Sequence, residues 1–133
     1  MLRHAAAALA LRGARAQIRA GGLEEAGPAR FDCVLAAHVI EHFADPLGAL
    51  TRMRDLLRAG GRLYLVVSRP HWCNVLIWLR WRHRTFGEGE ITGLVARAGL
   101  DVTALHRFTS GPPSRTSIGI VADRPHRTGR GGR

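Results

Sequence analysis

Lysine is missing from this chain altogether: every one of the 20 basic side chains among its 133 residues is arginine. Against ten acids this leaves a formal charge of +10, in a chain also rich in alanine and glycine. GC-rich codon usage accounts for that composition first, and a nucleic-acid or anionic-membrane footprint second. Cysteine is scarce, with only Cys33 and Cys73. Cys33 falls inside an apolar strand pattern and is expected to be a buried, reduced thiol. No apolar run approaches the ~20 residues that cross a bilayer. The alanines after Met1 merge into Arg12, Arg15 and Arg19 without a small-residue cleavage site, so no secretory leader is expected. A cytoplasmic, reduced protein is the expectation.

What is present is enough apolar material, 46% of residues, for one collapsed domain rather than a disordered polymer. Leu2 to Arg12 reads as a helix closed by Gly13. Ala14 to Ala20 is a short strand candidate. Phe31 to Ala37 is a nearly continuous apolar run, the pattern of a strand covered on both faces. Asp45-Pro46 opens a helix, with Asp45 as cap and Pro46 at the first helical position. Its apolar stripe is Leu47, Leu50, Met53, Leu56 and Leu57, and Gly60-Gly61 is expected to end it before a buried strand, Leu63 to Val67. A helix over Glu88 to Ala98, closed by Gly99, precedes strands at Asp101 to Phe108 and Ile118 to Ala122. The last two are joined by a loop, as in an antiparallel hairpin at one sheet edge. Residues 1–122 form the domain, and the Arg/Gly-rich residues 123–133 are expected to be a disordered tail. Alternating strands and helices give an α/β fold.

In order and spacing, Phe31-Asp32-Cys33-Val34, Glu41-His42, Asp45 and Leu57 to Leu63 with Gly60-Gly61 resemble the second half of class I S-adenosylmethionine-dependent methyltransferases of the type 11/12 group. The resemblance implies an incomplete Rossmann-like methyltransferase fold, strands 3 to 7 of a seven-stranded sheet with the last strand antiparallel. It implies S-adenosylmethionine as cofactor. By the same resemblance Asp32 bonds nearby backbone at a strand entrance. Ala37, His38, Val39 and His42 form the cofactor wall at the carboxyl end of that strand, where open α/β sheets bind ligands. Gly22 and Leu23 lie beside adenine, although Gly22 stands where the family has an aspartate. The family's first strand and glycine-rich loop are missing, as is the acid that holds the ribose hydroxyls. The family places its strands one and two between strands three and four, so one edge of Phe31 to Ala37 is expected to be open. The chain is expected to derive from a longer gene and to bind cofactor weakly or not at all alone.

Other motifs compete with this reading. His38-x-x-Glu41-His42 matches an inverted zincin pattern, in which two histidines one helical turn apart hold zinc; no third ligand is evident, and no metal is assigned. The plainer reading has Glu41 capping or salt-bridging locally. The segment from His71 to Arg84 carries three tryptophans and several arginines on helical spacing. It reads as a lid over an acceptor, with His71, Trp72 and Trp78 as substrate-binding candidates, as a peripheral membrane contact through 72–84, or as a helix packed on absent structure. His71, His83 and His106 are candidate bases, and no catalytic residue is assigned. Ser114-Arg115-Thr116 reads as a solvated turn or as part of the acceptor side. The expected function is methyl transfer to a small-molecule or lipid acceptor by a possibly inactive chain. The alternative is a non-enzymatic basic module that binds a membrane surface or nucleic acid.

Overall fold

The computed structural model describes residues 2–27, 30–71 and 84–126. Helix α1 (Leu2–Leu11) is followed by a 3-10 turn at Leu23–Ala26, strand β1 (Phe31–Ala37) and a second 3-10 turn at Ile40–His42. Then come α2 (Pro46–Leu56), β2 (Leu57–Ser68), α3 (Glu88–Arg97), β3 (Asp101–His106), the single-turn α4 (Pro113–Thr116) and β4 (Ser117–Asp123). The four strands form one sheet in the order β1-β2-β4-β3. β1 and β2 are parallel, while β4 runs antiparallel to both β2 and β3. Parallel strands need a crossover, and α2 provides it.

α2 starts where the sequence puts it. Asp45 Oδ1 accepts from the Gly48 amide at 3.0 Å, and Pro46 takes the first turn, where its missing N–H costs nothing. Leu50, Met53 and Leu56 then fall on one face and are buried. They meet a sheet face built by alternation. Leu63, Leu65 and Val67 of β2 stand in register with Ala122, Ile120 and Ile118 of β4, and all six are fully buried. Ile91 and Val95 of α3, with Phe86 and Leu100, close the same core. Each such side chain contributes about 1.5–3 kcal/mol by leaving water.

The other sheet face is barely covered, which corrects the expectation of a strand buried on both sides. In β1 only Ala36 is buried, while Leu35 is 72% and Phe31 44% exposed. Cys33 points to the open side and is exposed rather than buried. Apolar composition says what a strand is able to bury; α2 and α3 both lie on one face, and among the described residues nothing comparable lies on the other.

Four further expectations are revised. Residues 14–20 form no strand, and no described strand flanks β1 on its outer side, so this segment has nothing to pair with. Asp32 does not hold backbone; its carboxylate meets the guanidinium of Arg58, both largely exposed. Gly60-Gly61 does not end the helix. α2 stops at Leu56, β2 starts at once, and the glycines lie inside that strand. There Gly60 takes a φ of 73°, and a Cβ on Gly61 would come within 2.9 Å of the Arg58 carbonyl and 3.1 Å of the Phe31 carbonyl. Finally, order extends past the expected boundary at residue 123. Arg124 exchanges backbone bonds with Gly60 and Gly61, and its guanidinium donates to the Arg54 and Leu57 carbonyls. The tryptophan-arginine stretch 72–83 and residues 127–133 lie outside the described residues.

Candidate functional site

The carboxyl ends of β1 and β2 lie side by side, and the ladder continues one residue beyond β1, where the His38 amide donates to the Val66 carbonyl at 2.9 Å. His38 itself adopts left-handed backbone with a φ of 53°, the one described non-glycine residue to do so. That conformation costs roughly 1 kcal/mol and turns the chain sharply out of the sheet into the Ile40–His42 turn. Ile40 is fully buried and Glu41 is 6% exposed.

Glu41 thus reaches back under the sheet end. Its Oε1 accepts from the Ser68 backbone amide at 2.6 Å and lies 3.4 Å from His38 Nδ1. Its Oε2 is buried with no partner among the described residues. His38 Nδ1 is also 3.2 Å from Ser68 Oγ, and Nε2 is 3.5 Å from Ser117 Oγ. The imidazole is half exposed while the carboxylate side chain is fully buried. Ser68 is the hub of this end of the sheet: its carbonyl also accepts from Phe86, and the next amide, of Arg69, donates to Thr116. A cleft of about 450 Å³ is lined by Gly111, Pro112, Ser114, Arg115 and Thr116, in the segment that precedes β4.

Several expected site residues therefore meet here. Ala37, His38 and Val39 stand at the strand end, all exposed, and exposed His42 closes the following turn. His71 follows β2 by three residues. Gly22 and Leu23 are elsewhere. Leu23 packs against the core, and Gly22 helps to line a second cleft, of about 490 Å³, that includes Phe31 at the opposite end of β1. Roughly 20 Å of strand separates Phe31 from Ala37. The carboxylates of Glu24 and Glu25 fold over Gly22 and Gly21 in that second region. His106 aligns with Gly119 on the far strand, three strand spacings or about 14 Å from the end of β1, and stacks edge-on to Phe108. Trp72, Trp78 and His83 lie outside the described residues.

The zincin pattern fails on geometry. His38 is left-handed and His42 ends a single 3-10 turn, so the two histidines do not share an α-helical face. Among the described residues no group of three His, Cys, Asp or Glu side chains is placed to hold a metal ion. Ser68 and Ser117 were missed by sequence reasoning. Ser68 carries a faint signal, as the first polar residue after the apolar run Leu63 to Val67; Ser117 carries none.

A family model for a methyltransferase domain matches residues 4–105. The chain belongs to the methyltransferase domain family. The ubiquinone biosynthesis O-methyltransferase of Cereibacter sphaeroides strain ATCC 17029 is 34% identical over 86 residues, covering 54% of this chain and 35% of that protein. A Dinoroseobacter shibae protein of the same description is 34% identical over 90 residues with the same coverage. The chain thus spans about a third of the length of the curated relatives it matches. Solved structures show the Rossmann-like methyltransferase fold. The N-methyltransferase NodS of Bradyrhizobium japonicum WM9, bound to S-adenosylhomocysteine, superposes with a TM-score of 0.69 at 19% identity, over 95% of this chain and 64% of its own. A Burkholderia thailandensis 1,6-didemethyltoxoflavin N1-methyltransferase, holding its acceptor and S-adenosylhomocysteine, gives 0.70 at 23% identity over 90% and 56%. The [4+2]-cyclase SpnF gives 0.76 at 14% identity over 94% and 62%, so the fold alone does not fix the reaction.

S-adenosylmethionine is the family's usual cofactor, and two of the solved structures above hold its product, S-adenosylhomocysteine. Ala37 and Val39 are apolar and exposed at the carboxyl end of β1, and the nearby Oε2 of Glu41 is buried without a partner among the described residues.

Proposed function

We propose that the domain serves S-adenosylmethionine-dependent methyl transfer to a small-molecule acceptor. Ala37, His38, Val39 and His42 would form one wall of the cofactor site, with the cleft beside Thr116 on the acceptor side. The observation that carries this reading is the exposure of Ala37, His38 and Val39 at the carboxyl end of β1, beside its parallel partner β2, the end at which ligands of α/β sheets bind. When bound, the cofactor supplies a sulfonium-activated methyl group, so the protein's part is to orient the acceptor and manage its proton. Gly22 and Leu23 would join the adenine side through a movement of the loop that carries them. The free outer edge of β1 supports a further proposal, that another strand pairs there in the working enzyme.

Calorimetric titration with S-adenosylhomocysteine tests the reading. The 133-residue chain is expected to bind weakly, and a chimaera joining it to the glycine-loop half of the Cereibacter sphaeroides relative is expected to bind at least about tenfold tighter, or about 1.4 kcal/mol. Val39→Asp in the chimaera should abolish the gain. Absence of saturable binding by both proteins overturns the proposal. On localisation, no helix among the described residues is long and apolar enough to cross a membrane.

A further inference from the structure

We infer that the free edge of β1 receives the same strand of a second copy of this chain, antiparallel about a two-fold axis at Val34, so that two four-stranded sheets join into one. The inference names the occupant of the edge left free above and does not rest on cofactor binding.

The backbone comes first. Along a strand the N–H and C=O groups of successive residues point alternately to its two sides, and the His38 amide is turned toward β2, where it donates to Val66. Val34 and Ala36 are thereby turned toward β2 as well. The groups of Cys33, Leu35 and Ala37, and by the same alternation of Phe31, face outward, where no described strand takes them. Such groups need a partner, and another strand supplies one to each of them at once.

Side chains then select the register. Opposite residues of an antiparallel pair share a sheet face, so the exposed odd positions of one copy must meet odd positions of the other. A pair centred on Asp32 sets two carboxylates face to face, which is unfavourable. Centred on Cys33 it puts Ala37 opposite a residue outside the strand, and centred on Leu35 it does the same to Phe31. A centre at Val34 uses every outward group. It sets Phe31 opposite Ala37 and Cys33 opposite Leu35 on the open face, with Asp32, the only charged residue of the strand, opposite Ala36. Half-buried Val34 meets its own copy, a β-branched pair suited to strands.

The other edge of the sheet is unsuited to this role. β3 carries an extra residue between Val102 and Ala104, a bulge that interrupts pairing, and Thr103 there donates its hydroxyl to the Val121 carbonyl. A β1-to-β1 pair is self-complementary and closes at two copies, whereas a β1-to-β3 contact continues without end. Seven paired residues make an interface below the about 1,200 Å² of stable complexes, so the dimer is weak and dissolves on dilution. The register also brings Phe31 of the second copy opposite Ala37, next to the exposed His38 and Val39, so each copy adds an aromatic ring beside the other's candidate site.

Disulfide trapping in the full chain tests the pairing and its register. In a Cys73→Ser background, Leu35→Cys sets a thiol opposite Cys33 of the second copy, at a Cα separation of about 5.5 Å that a disulfide spans. Leu35 is solvent-exposed, so the exchange leaves the fold intact, which circular dichroism checks. Mild oxidation should yield a covalent dimer whose peptide map joins Cys33 to position 35. The Cys73→Ser parent should yield none, because its two Cys33 residues stand diagonally, about 7–8 Å apart and beyond the reach of a disulfide. Any other pairing of positions, in either protein, overturns the register, and no covalent dimer from Leu35→Cys overturns the pairing. Sedimentation velocity on the wild type, as concentration rises, should show one further species of twice the monomer mass. Monomer throughout, or a ladder of larger species, overturns the two-fold closure. Neither readout involves S-adenosylhomocysteine, so failure here is distinguishable from failure of that titration.

Discussion

Arg62 and Asp123 face each other in register across β2 and β4 on the open side of the sheet, joined by two hydrogen bonds of 2.7 and 3.0 Å. The hydrogen bond from Arg62 holds the Asp123 carboxyl below its ordinary value of 3.8, against a smaller opposing effect of burial. A carboxylate depressed in the folded state adds stability above its unfolded value and loses it as acid protonates the native chain. The wild type should therefore shed melting temperature from about pH 5 downward more steeply than Asp123→Asn, which has no charge to lose. Thermal melts of both proteins across that range, followed by circular dichroism, check the sign. The contribution is modest, because both side chains keep substantial contact with water. The residue scale also shows where sequence reading ends. Glu41 is read from the sequence as capping or salt-bridging locally, and it does lie 3.4 Å from His38, yet its shortest bond reaches Ser68, 27 positions on. Nothing in the spacing of a motif reports a partner brought in by sheet pairing.

At the scale of elements, legibility follows how local the controlling interactions are. α2 is fully written in its own residues: a capping aspartate, a proline that starts a turn, and an apolar stripe at helical period. Asp45→Ala should accordingly cost about 1 kcal/mol of stability, measured by urea denaturation, with the helix register unchanged. α3 and the β3–β4 hairpin are likewise found where apolar alternation and Gly99 put them. β1 was legible as a strand but not as a one-sided one. Phe31, Cys33 and Leu35 describe a ribbon suited to two covered faces, and only the positions of α2 and α3 decide which face is served. Residues 14–20 show the converse: apolar alternation alone makes no strand without a neighbour to take its hydrogen bonds.

At the scale of the whole molecule, the sheet ends on a strand with few natural defences. β1 has no described partner on its outer side and no proline, and it shows Leu35 and Phe31 to solvent. Such edges pair with other chains. Sedimentation velocity should show self-association that rises with concentration, and Leu35→Glu, at a position 72% exposed, should reduce it with little loss of fold. Methyl-transfer family membership was readable from Phe31-Asp32, Glu41-His42 and Gly60-Gly61 in order; the surroundings of His38 were not, because Ser68 and Ser117 reach it from distant segments.

The sheet order carries a temporal consequence as well. β4, the last described strand, sits in the interior of the sheet between β2 and β3. β3 therefore has no strand to join until residues 117–123 have been made, and a stop codon shortly before residue 117 deletes the middle of the sheet instead of trimming its border. Closure of the described sheet therefore waits on residues 117–123.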